Sequence, residues 1–333
     1  MALLLFLIGL AGWFWRYPDQ SGPARSAVAT VEIPSGIGLA GIKARLVGAG
    51  VIRDDPRFIL LAKQMGVAKG LQAGEYAFAP GVTARAVLRD LAEGKTVLHG
   101  ITLAEGLNLY QAADLIQTGG WGSREEFLRL VSDPGLIQGF GLEGATLEGY
   151  LFPETYFFEK GTGLRTMITA MVRRMVLVVE QEGATGGKEE AKGDGPRLTR
   201  HQLLTLASII EKETALAEER PLVAKVFLNR LRTGMKLQAD PTVSYGLSKF
   251  DSPLTRDDLL SPTPYNTYVN PGLPRGPICN PGRTAIAAVL HPAELDYYYF
   301  VSQNDGSHYF SKTLAEHNQA VARYRKKRLS NRE

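Results

Sequence analysis

The segment from Leu206 to Leu231 has the apolar spacing of two consecutive amphipathic helices. Its first part carries Glu211 and Glu213. With a rotation of about 100° per residue, Glu213 falls about 20° from Leu206, inside the apolar stripe, whereas Glu211 falls about 140° away, where we expect solvent. A carboxylate on an apolar face is costly unless it is paired, protonated or at the floor of a cleft. Glu213 is therefore either a structural acid satisfied by an arginine or a backbone donor, or a functional acid.

Flanking residues predict where these two helices begin and end. Thr199 and Gln202 have the spacing of a capping box, which predicts a first helix that continues to about Arg220. Pro221 suits the first turn of the second helix, and Gly234 ends it.

Composition excludes several classes of function. The chain has 333 residues, enough for two or three domains, and a net charge of +4 without a basic stripe interleaved with aromatic residues, so we expect no nucleic-acid partner. Its one cysteine cannot form an internal disulfide, and its five histidines are scattered, so we expect no metal, no cofactor and no Cys/His or Ser/His/Asp nucleophile. No phosphate-binding glycine motif is present.

The N-terminus indicates a membrane anchor. Residues 1–15 carry no charged side chain, and Trp13, Trp15 and Tyr17 have the spacing of an interfacial aromatic belt. A signal peptide is a weaker interpretation, because the small residues at 27–29 lie too far beyond the apolar run. We therefore predict a single-pass anchor at 1–17, followed by a flexible linker at 18–29.

A strand–turn–helix pattern occurs twice in the next part of the chain. The β-prone runs Val31–Ile33 and Ile101–Leu103 are followed by Gly36 and Gly106, and each glycine precedes an amphipathic helix pattern. Between the repeats, the sequence predicts a strand through Tyr76 and Phe78 and a helix capped by Thr83. These modules suit binding or orienting a partner, or serve as spacers.

The remainder predicts an α+β chain. Residues 122–181 are mostly helical in pattern, and residues 180–197 read as a solvated insertion. The Pro/Gly/Asn-rich stretch from 236 to 281 predicts ordered loops, the usual place for polar ligands. A hairpin with strands Tyr297–Ser302 and His308–Ser311 and a helix from Thr313 close the fold.

A glutamate on an apolar helix face followed by polar loops is typical of glycan cleavage, in which a carboxyl of raised pKa acts as general acid. A hydrolase needs a second carboxylate, about 5 Å away for retention or about 6.5–9.5 Å away for inversion. Asp240 is the candidate, although Asp-Pro is also ordinary turn chemistry. Glu148 and Glu154, in an aromatic segment, are further candidates for polar contacts.

Residues 206–247 closely resemble the endolytic murein transglycosylase family, the YceG-like proteins. Residues 147–156 ("LEGYLFPETY"), 261–282 and 308–321 resemble it too, and the match covers nearly the whole chain. The chain differs mainly in its short, uncharged N-terminus and its insertion at 180–197.

The resemblance implies a fold and a reaction. It implies a LysM-like module at 30–98, a second connecting module at 99–140 and a mainly helical, lysozyme-like catalytic domain at 141–333. Such enzymes cut the β-1,4 bond between N-acetylmuramic acid and N-acetylglucosamine without water, leave a 1,6-anhydro end and so terminate nascent strands. The second glutamate of the family's EKET motif, Glu213 here, carries both proton transfers.

The resemblance also implies partners and a location. The partners are peptidoglycan glycan strands, the cytoplasmic membrane and peptidoglycan synthases, and the catalytic domain lies outside the inner membrane. Our candidates for substrate contacts, each of which can instead brace its own loop, are Asp240, Thr242, Tyr245, Tyr265, Asn266, Tyr268 and Glu148. Two alternatives remain: a hydrolase that uses Glu213 and Asp240, and a non-catalytic peptidoglycan-binding scaffold.

Overall fold

The computed structural model of the protein describes residues 1, 12–183, 189–190, 196–250 and 252–330. Helices and short two-stranded sheets occur together along these residues, which confirms the predicted α+β class.

The chain forms two compact units. The first comprises residues 1–101 and 157–162, and the second comprises residues 102–156 and 163–333. The boundaries predicted for the anchor, the linker, the two modules and the catalytic domain stay predictions.

The first unit packs helices on an antiparallel strand pair, in which Val31 lies opposite Tyr76. Val31, Tyr76 and Phe78 are buried in one apolar core with the helices. Thr83 caps the third helix as predicted, because its side chain accepts the N–H of Ala86. Its elements are β1 (Ala29–Ile33), α1 (Leu39–Gly48), α2 (Arg57–Gln64), β2 (Gly74–Phe78) and α3 (Ala84–Glu93).

The strands β3 (Leu98–Thr102) and β4 (Thr155–Glu159) pair with each other. The β4 strand lies within residues 122–181, which the sequence predicts to be mostly helical and which are mostly helical outside this strand and the adjoining loops. Turn glycines precede α1 and α4 in the repeated pattern, since Gly36 and Gly106 have positive φ angles of 82° and 76°.

The second unit is mainly helical. Its helices are α4 (Leu109–Thr118), α5 (Arg124–Val131), α6 (Pro134–Gly139), α7 (Leu164–Gln181), α8 (Arg200–Glu213), α9 (Arg220–Thr233), α10 (Asp240–Gly246), α11 (Arg283–Leu290) and α12 (Leu314–Ser330). Its remaining strands are β5 (Glu189–Glu190), β6 (Arg197–Leu198), β7 (Tyr299–Ser302) and β8 (His308–Ser311). The antiparallel pair β7–β8 confirms the predicted hairpin, with the first strand two residues shorter.

Helix α8 is the central helix of this unit. The capping box of Thr199 and Gln202 begins it as predicted. Every residue from Leu203 to Ile210 is buried, because α9 and α11 pack against α8. A helix that is apolar around its whole circumference is a core helix rather than an amphipathic surface helix.

The predicted end of α8 was wrong. The helix stops at Glu213 rather than near Arg220, because Thr214 adopts an extended conformation with φ −141° and ψ 135°. The Thr214 hydroxyl donates to Glu219, and the same oxygen accepts the N–H of Leu216 at 3.1 Å. A local turn therefore replaces the last predicted turns, and α9 begins at Arg220 with a proline in its first turn.

The Pro/Gly/Asn-rich stretch is not free of helix, which is a second correction. It contains α10, whose first turn is set by Pro241, and a 3₁₀ turn at Asp258–Leu260.

Two predicted segments lie largely outside the described residues: residues 2–11 of the anchor, and residues 184–188 and 191–195 of the insertion. In the part of the chain that is described, no helix has both the length and the apolar character needed to cross a bilayer.

Candidate active site

Glu213 is the last residue of α8, and the side chain is only partly exposed. Its carboxyl group forms no hydrogen bond and no ion pair with any residue that the structure describes. Its oxygens are not among the buried polar atoms that lack a partner, so the group reaches open space. This arrangement differs from a structural glutamate, which would be tied to an arginine or to backbone donors.

The surroundings of Glu213 favour its protonated form. Burial, together with the negative charge of Asp240, raises the pKa of Glu213 to about 8 against the opposing charge of Arg230. Glu213 is therefore mostly protonated at neutral pH, as a general acid must be.

Arg230 lies near Glu213 and was missed in the sequence. Its guanidinium is buried and donates to backbone oxygens of Tyr298 at 2.7 Å and Leu237 at 2.6 Å. These carbonyl contacts keep its charge near Glu213 without an ion pair. A signal was present, since Arg230 stands at the i+7 position of an apolar stripe formed by Val223, Val226 and Phe227.

Glu211 is not the solvated acid that the sequence predicts. Its carboxylate is buried, and Oε1 lies 2.7 Å from Nη2 of Arg220. Its other oxygen accepts the N–H of Gly282 at 2.9 Å. The expectation was wrong because α8 has neighbours on the side that the helical wheel assigned to water.

Asp240 begins α10 and is exposed. Its Oδ1 accepts the Tyr268 hydroxyl at 2.6 Å, so the structure brings these two predicted residues together. Gln238, two residues earlier, has a φ of 52°, in the region that non-glycine residues rarely adopt. Such strain is common where a loop is held for function.

A cavity of about 230 Å³ runs along α10 from Asp240 to Tyr245. Glu213 is not among the described residues that line it, but Asp240, whose charge acts on the pKa of Glu213, lines it. The cavity is lined by Gly106, Asn108, Gln111, Lys212, Asp240, Pro241, Ser244, Tyr245, Phe250 and Ile278.

Thr242 and Asn266, two of the predicted substrate contacts, are both fully buried. The Thr242 hydroxyl donates to Ala239 O at 2.6 Å. The Asn266 amide donates to the carbonyls of Leu259 and Ser261 and accepts the N–H of Tyr268. Their geometry favours the bracing alternative, since both residues are fully enclosed and bonded to the surrounding backbone.

Tyr245, Tyr265 and Glu148 meet at a second cavity, of about 250 Å³. The Tyr245 hydroxyl donates to Glu148 at 2.8 Å, and the rings of Tyr245 and Tyr265 are 4.8 Å apart. Glu154, in contrast, forms an ion pair with Arg174.

The loop preceding α11 is held on the central helix. The Ile278 N–H donates to the Ser208 hydroxyl at 3.0 Å, and the Cys279 thiol contacts the Ser208 carbonyl. Asn280 accepts the N–H of Leu151 and donates to Leu107 O. These buried contacts fix the walls of both cavities relative to α8.

Within the described ranges, no group of three or more His, Cys, Asp or Glu side chains is arranged to hold a metal ion. The functional groups that the described side chains bring to this site are a protonated carboxyl, a nearby carboxylate and tyrosine hydroxyls.

The chain is similar to several known proteins. The model of the YceG-like family matches residues 31–323. A Bacillus subtilis protein named endolytic murein transglycosylase is 36% identical over 310 residues, which are 88% of this chain and 84% of that protein. A Streptococcus pneumoniae protein of the same name is 30% identical over 90% of this chain, and the match spans only 59% of its length.

A solved structure is also similar. The crystal structure of a YceG-like protein from Listeria monocytogenes has a TM-score of 0.60 and 34% identity, and the match covers 89% of this chain and 99% of that one. The chain belongs to the YceG-like family.

Proposed function

We propose that this protein is an endolytic peptidoglycan lytic transglycosylase that cleaves the MurNAc-β-1,4-GlcNAc bond within glycan strands. One observation carries the proposal: the partly buried carboxyl of Glu213 has no partner among the described residues and a pKa raised to about 8. The names of the Bacillus and Streptococcus relatives support the same substrate and reaction.

In the proposed reaction, Glu213 carries both protons. The protonated carboxyl donates to the glycosidic oxygen while the bond from that oxygen to C1 of muramic acid breaks. The C6 hydroxyl oxygen of the same sugar then bonds to C1, and its proton passes to the Glu213 carboxylate. The enzyme returns to its starting state, and the product has a 1,6-anhydro end. No water is consumed, because the nucleophile belongs to the substrate.

Neighbouring charges assist each half of this cycle. Arg230 stabilises the Glu213 carboxylate that exists between the two transfers. Asp240, held by the Tyr268 hydroxyl, stabilises the positive charge that develops at C1. We propose as glycan contacts Asp240 and Tyr245, which line the cavity along α10, and Tyr268, which bonds Asp240. We assign Thr242 and Asn266 to bracing.

A hydrolase that uses Glu213 and Asp240 is the second candidate. It is favoured by the proximity of the two acids, since the charge of Asp240 acts on the pKa of Glu213. In that reaction Asp240 would activate water or form a covalent intermediate. The products differ by one water, so their masses separate the two reactions.

The experiment is mass spectrometry of muropeptides released from purified glycan strands. We expect the wild type to release products with anhydro ends, one water lighter than hydrolysed ends. Glu213→Gln should release no products while it still binds the strands. Glu218→Gln, which changes an exposed glutamate five residues away, is the matched control and should cleave normally. Cleavage by Glu213→Gln would overturn the proposal, and hydrolysed ends would establish the second candidate.

We further propose that residues 1–17 anchor the chain in the cytoplasmic membrane, with the catalytic part on its outer side. The uncharged run with Trp13 and Trp15 supports this proposal. A LysM-like module at 30–98, contact with peptidoglycan synthases and termination of nascent strands are proposed on the family resemblance. Fractionation of cells that express the chain with and without residues 1–17 tests the anchor, since only the longer form should sediment with membranes.

A further inference from the structure

The second cavity of the helical unit lies at the opposite end of α10 from Asp240. Gly246 and Ser248 line this cavity of about 250 Å³, and Tyr245 lines it as well as the cavity beside Asp240. Because α10 rises about 1.5 Å per residue, Asp240 and Gly246 are roughly 9 Å apart along the helix, and the two cavities share Tyr245. A substrate bound along α10 therefore meets both cavities.

A buried carboxyl oxygen without a partner lies at this cavity. Glu148 is 2% exposed and is one of the lining residues. Its Oε2 accepts the Leu109 N–H at 3.0 Å and the Tyr245 hydroxyl at 2.8 Å. Its Oε1 is buried and forms no hydrogen bond of normal geometry with the described residues, although the nearby Gly149 N–H lowers the pKa of the carboxyl. Buried polar atoms are rarely left unpaired, so Oε1 is available to a ligand.

The backbone holds Glu148 firmly in this position. Gly149 has a φ of 79°, and a Cβ atom there would lie 2.4 Å from the side chain of Pro277. Only glycine allows this approach of the chain to the Pro277 wall of the cavity. Burial also raises the pKa of Glu148 to about 7, so Oε1 can accept or donate a hydrogen bond near neutral pH.

Arg275 supplies an unpaired cation at the same cavity. Its backbone N–H donates to Pro264 O, and its carbonyl lies 3.2 Å from Nε2 of His201, so its main chain is held. Arg275 is an exposed residue that lines the cavity, and its guanidinium has no ion pair or hydrogen bond with the described part of the chain. Its fork of N–H donors matches a carboxylate.

The guanidinium of Arg275 and Oε1 of Glu148 would together suit a ligand that has a carboxylate and an N–H donor. The N-acetylated sugar rings of peptidoglycan are uncharged, whereas its peptides carry carboxylates and amide N–H groups. We propose that the cavity of Glu148 and Arg275 binds the acidic peptide stem of a muramoyl residue while the glycan backbone lies at the Asp240 end of α10. This inference rests on the proposed function. The peptide carboxylate contacts Arg275, and a peptide N–H donates to Oε1 of Glu148.

The first test compares two substrates: glycan strands with intact stems, and the same strands after an amidase has removed them. The readout is the ratio of the two cleavage rates. We expect Arg275→Glu to lower the ratio of intact to stripped strands about tenfold, the loss typical of one charge-assisted contact. Arg256→Glu, the same change at an exposed arginine outside both cavities, should keep the wild-type ratio. An equal fall on both substrates would overturn the inference, because a sugar subsite would behave in that way.

The second test does not depend on catalysis. Calorimetric titration of a soluble muramyl tetrapeptide into the Glu213→Gln variant should show binding. Adding Arg275→Glu to that variant should weaken the binding about tenfold, and adding Glu148→Gln should weaken it too. Thermal unfolding checks that each variant is folded. Absence of binding, or binding unchanged by Arg275→Glu, would overturn the inference even if strands are cleaved. If the tetrapeptide binds in the expected way but the wild type cleaves no strand, the cavity assignment is supported and the proposed reaction is wrong.

Discussion

Arg220 pairs with Glu211 and not with Glu213: its Nη2 lies 2.7 Å from Oε1 of Glu211, and both side chains are buried. Two acids near one helix end thus have opposite surroundings. The paired acid holds the start of α9 against α8, and Gly282 N–H completes its contacts. The unpaired acid, Glu213, keeps its proton and reaches open space. One acid is thus structural and the other is free to act as a general acid.

The rate of cleavage should depend on the protonation of Glu213. Because the reaction starts from the protonated carboxyl and the pKa of Glu213 is raised to about 8, kcat/KM should be high near neutral pH and fall as the pH rises through about 8. Initial rates of release of anhydro ends between pH 5 and pH 10, expressed relative to the maximum, measure this profile.

Asp240→Asn should shift the same profile. Removal of the nearby negative charge lowers the pKa of Glu213, so the alkaline fall should begin at a lower pH, in addition to any loss of rate. Asp296→Asn, at a carboxyl that is 76% exposed, is the control and should leave the midpoint in place. A midpoint unmoved in Asp240→Asn would mean that another group controls the rate.

Loss of Arg220 should destabilise the fold. Arg220→Met leaves the Glu211 carboxyl buried without its cation, which typically costs about 3–5 kcal/mol. Urea unfolding followed by circular dichroism measures this change. The exposed pair of Arg124 and Asp114 is the matched control, since Arg124→Met should cost less than about 1 kcal/mol. Comparable costs for the two changes would argue against a structural role of the buried pair.

Local signals in the sequence predicted local structure well. The structure confirms the helix caps at Thr83 and at Thr199 with Gln202, and the limits of α9 at Pro221 and Gly234. Each of these signals depends only on backbone donors and fixed dihedral angles within a few residues. Glu213 was singled out because its place on the wheel depends only on its own helix.

Two of the failures involve contacts between distant segments, and others are local. The burial of Glu211 depends on Arg220 and Gly282, which the periodicity of α8 cannot indicate. The place of Arg230 beside Glu213 depends on how α9 packs on α8. A composition rich in proline predicted loops, yet Pro241 begins a short helix because proline suits the first helical turn.

Asn266 should matter for stability more than for substrate affinity. Asn266→Ala removes buried hydrogen bonds to Leu259 O at 3.0 Å and Ser261 O at 2.8 Å. The unpaired carbonyls should cost about 2–4 kcal/mol in urea unfolding. Asn318→Ala, at an exposed position, should change stability by less than about 0.5 kcal/mol. A raised KM with unchanged stability would instead make Asn266 a glycan contact.

The raised pKa of Glu213 should also appear as a pH-dependent stability. In the unfolded chain this carboxyl titrates at about 4.3. Between that pH and about 8 the folded protein holds a proton that the unfolded chain has released, so this group makes stability fall as the pH rises through that window. Glutamine does not titrate. Glu213→Gln should therefore resemble the wild type at pH 4 and be more stable above pH 8, by on the order of 2 kcal/mol after allowance for partial exposure.

Urea unfolding of the wild type and Glu213→Gln at several pH values between 4 and 9 measures the difference, and Glu218→Gln serves as the control because Glu218 is exposed. The difference should grow with pH in the first variant and stay flat in the second. A difference for Glu213→Gln that is constant with pH would show that the carboxyl titrates as an ordinary solvated acid. In that case Glu213 would be ionised at neutral pH and could not act as the general acid of the proposed reaction.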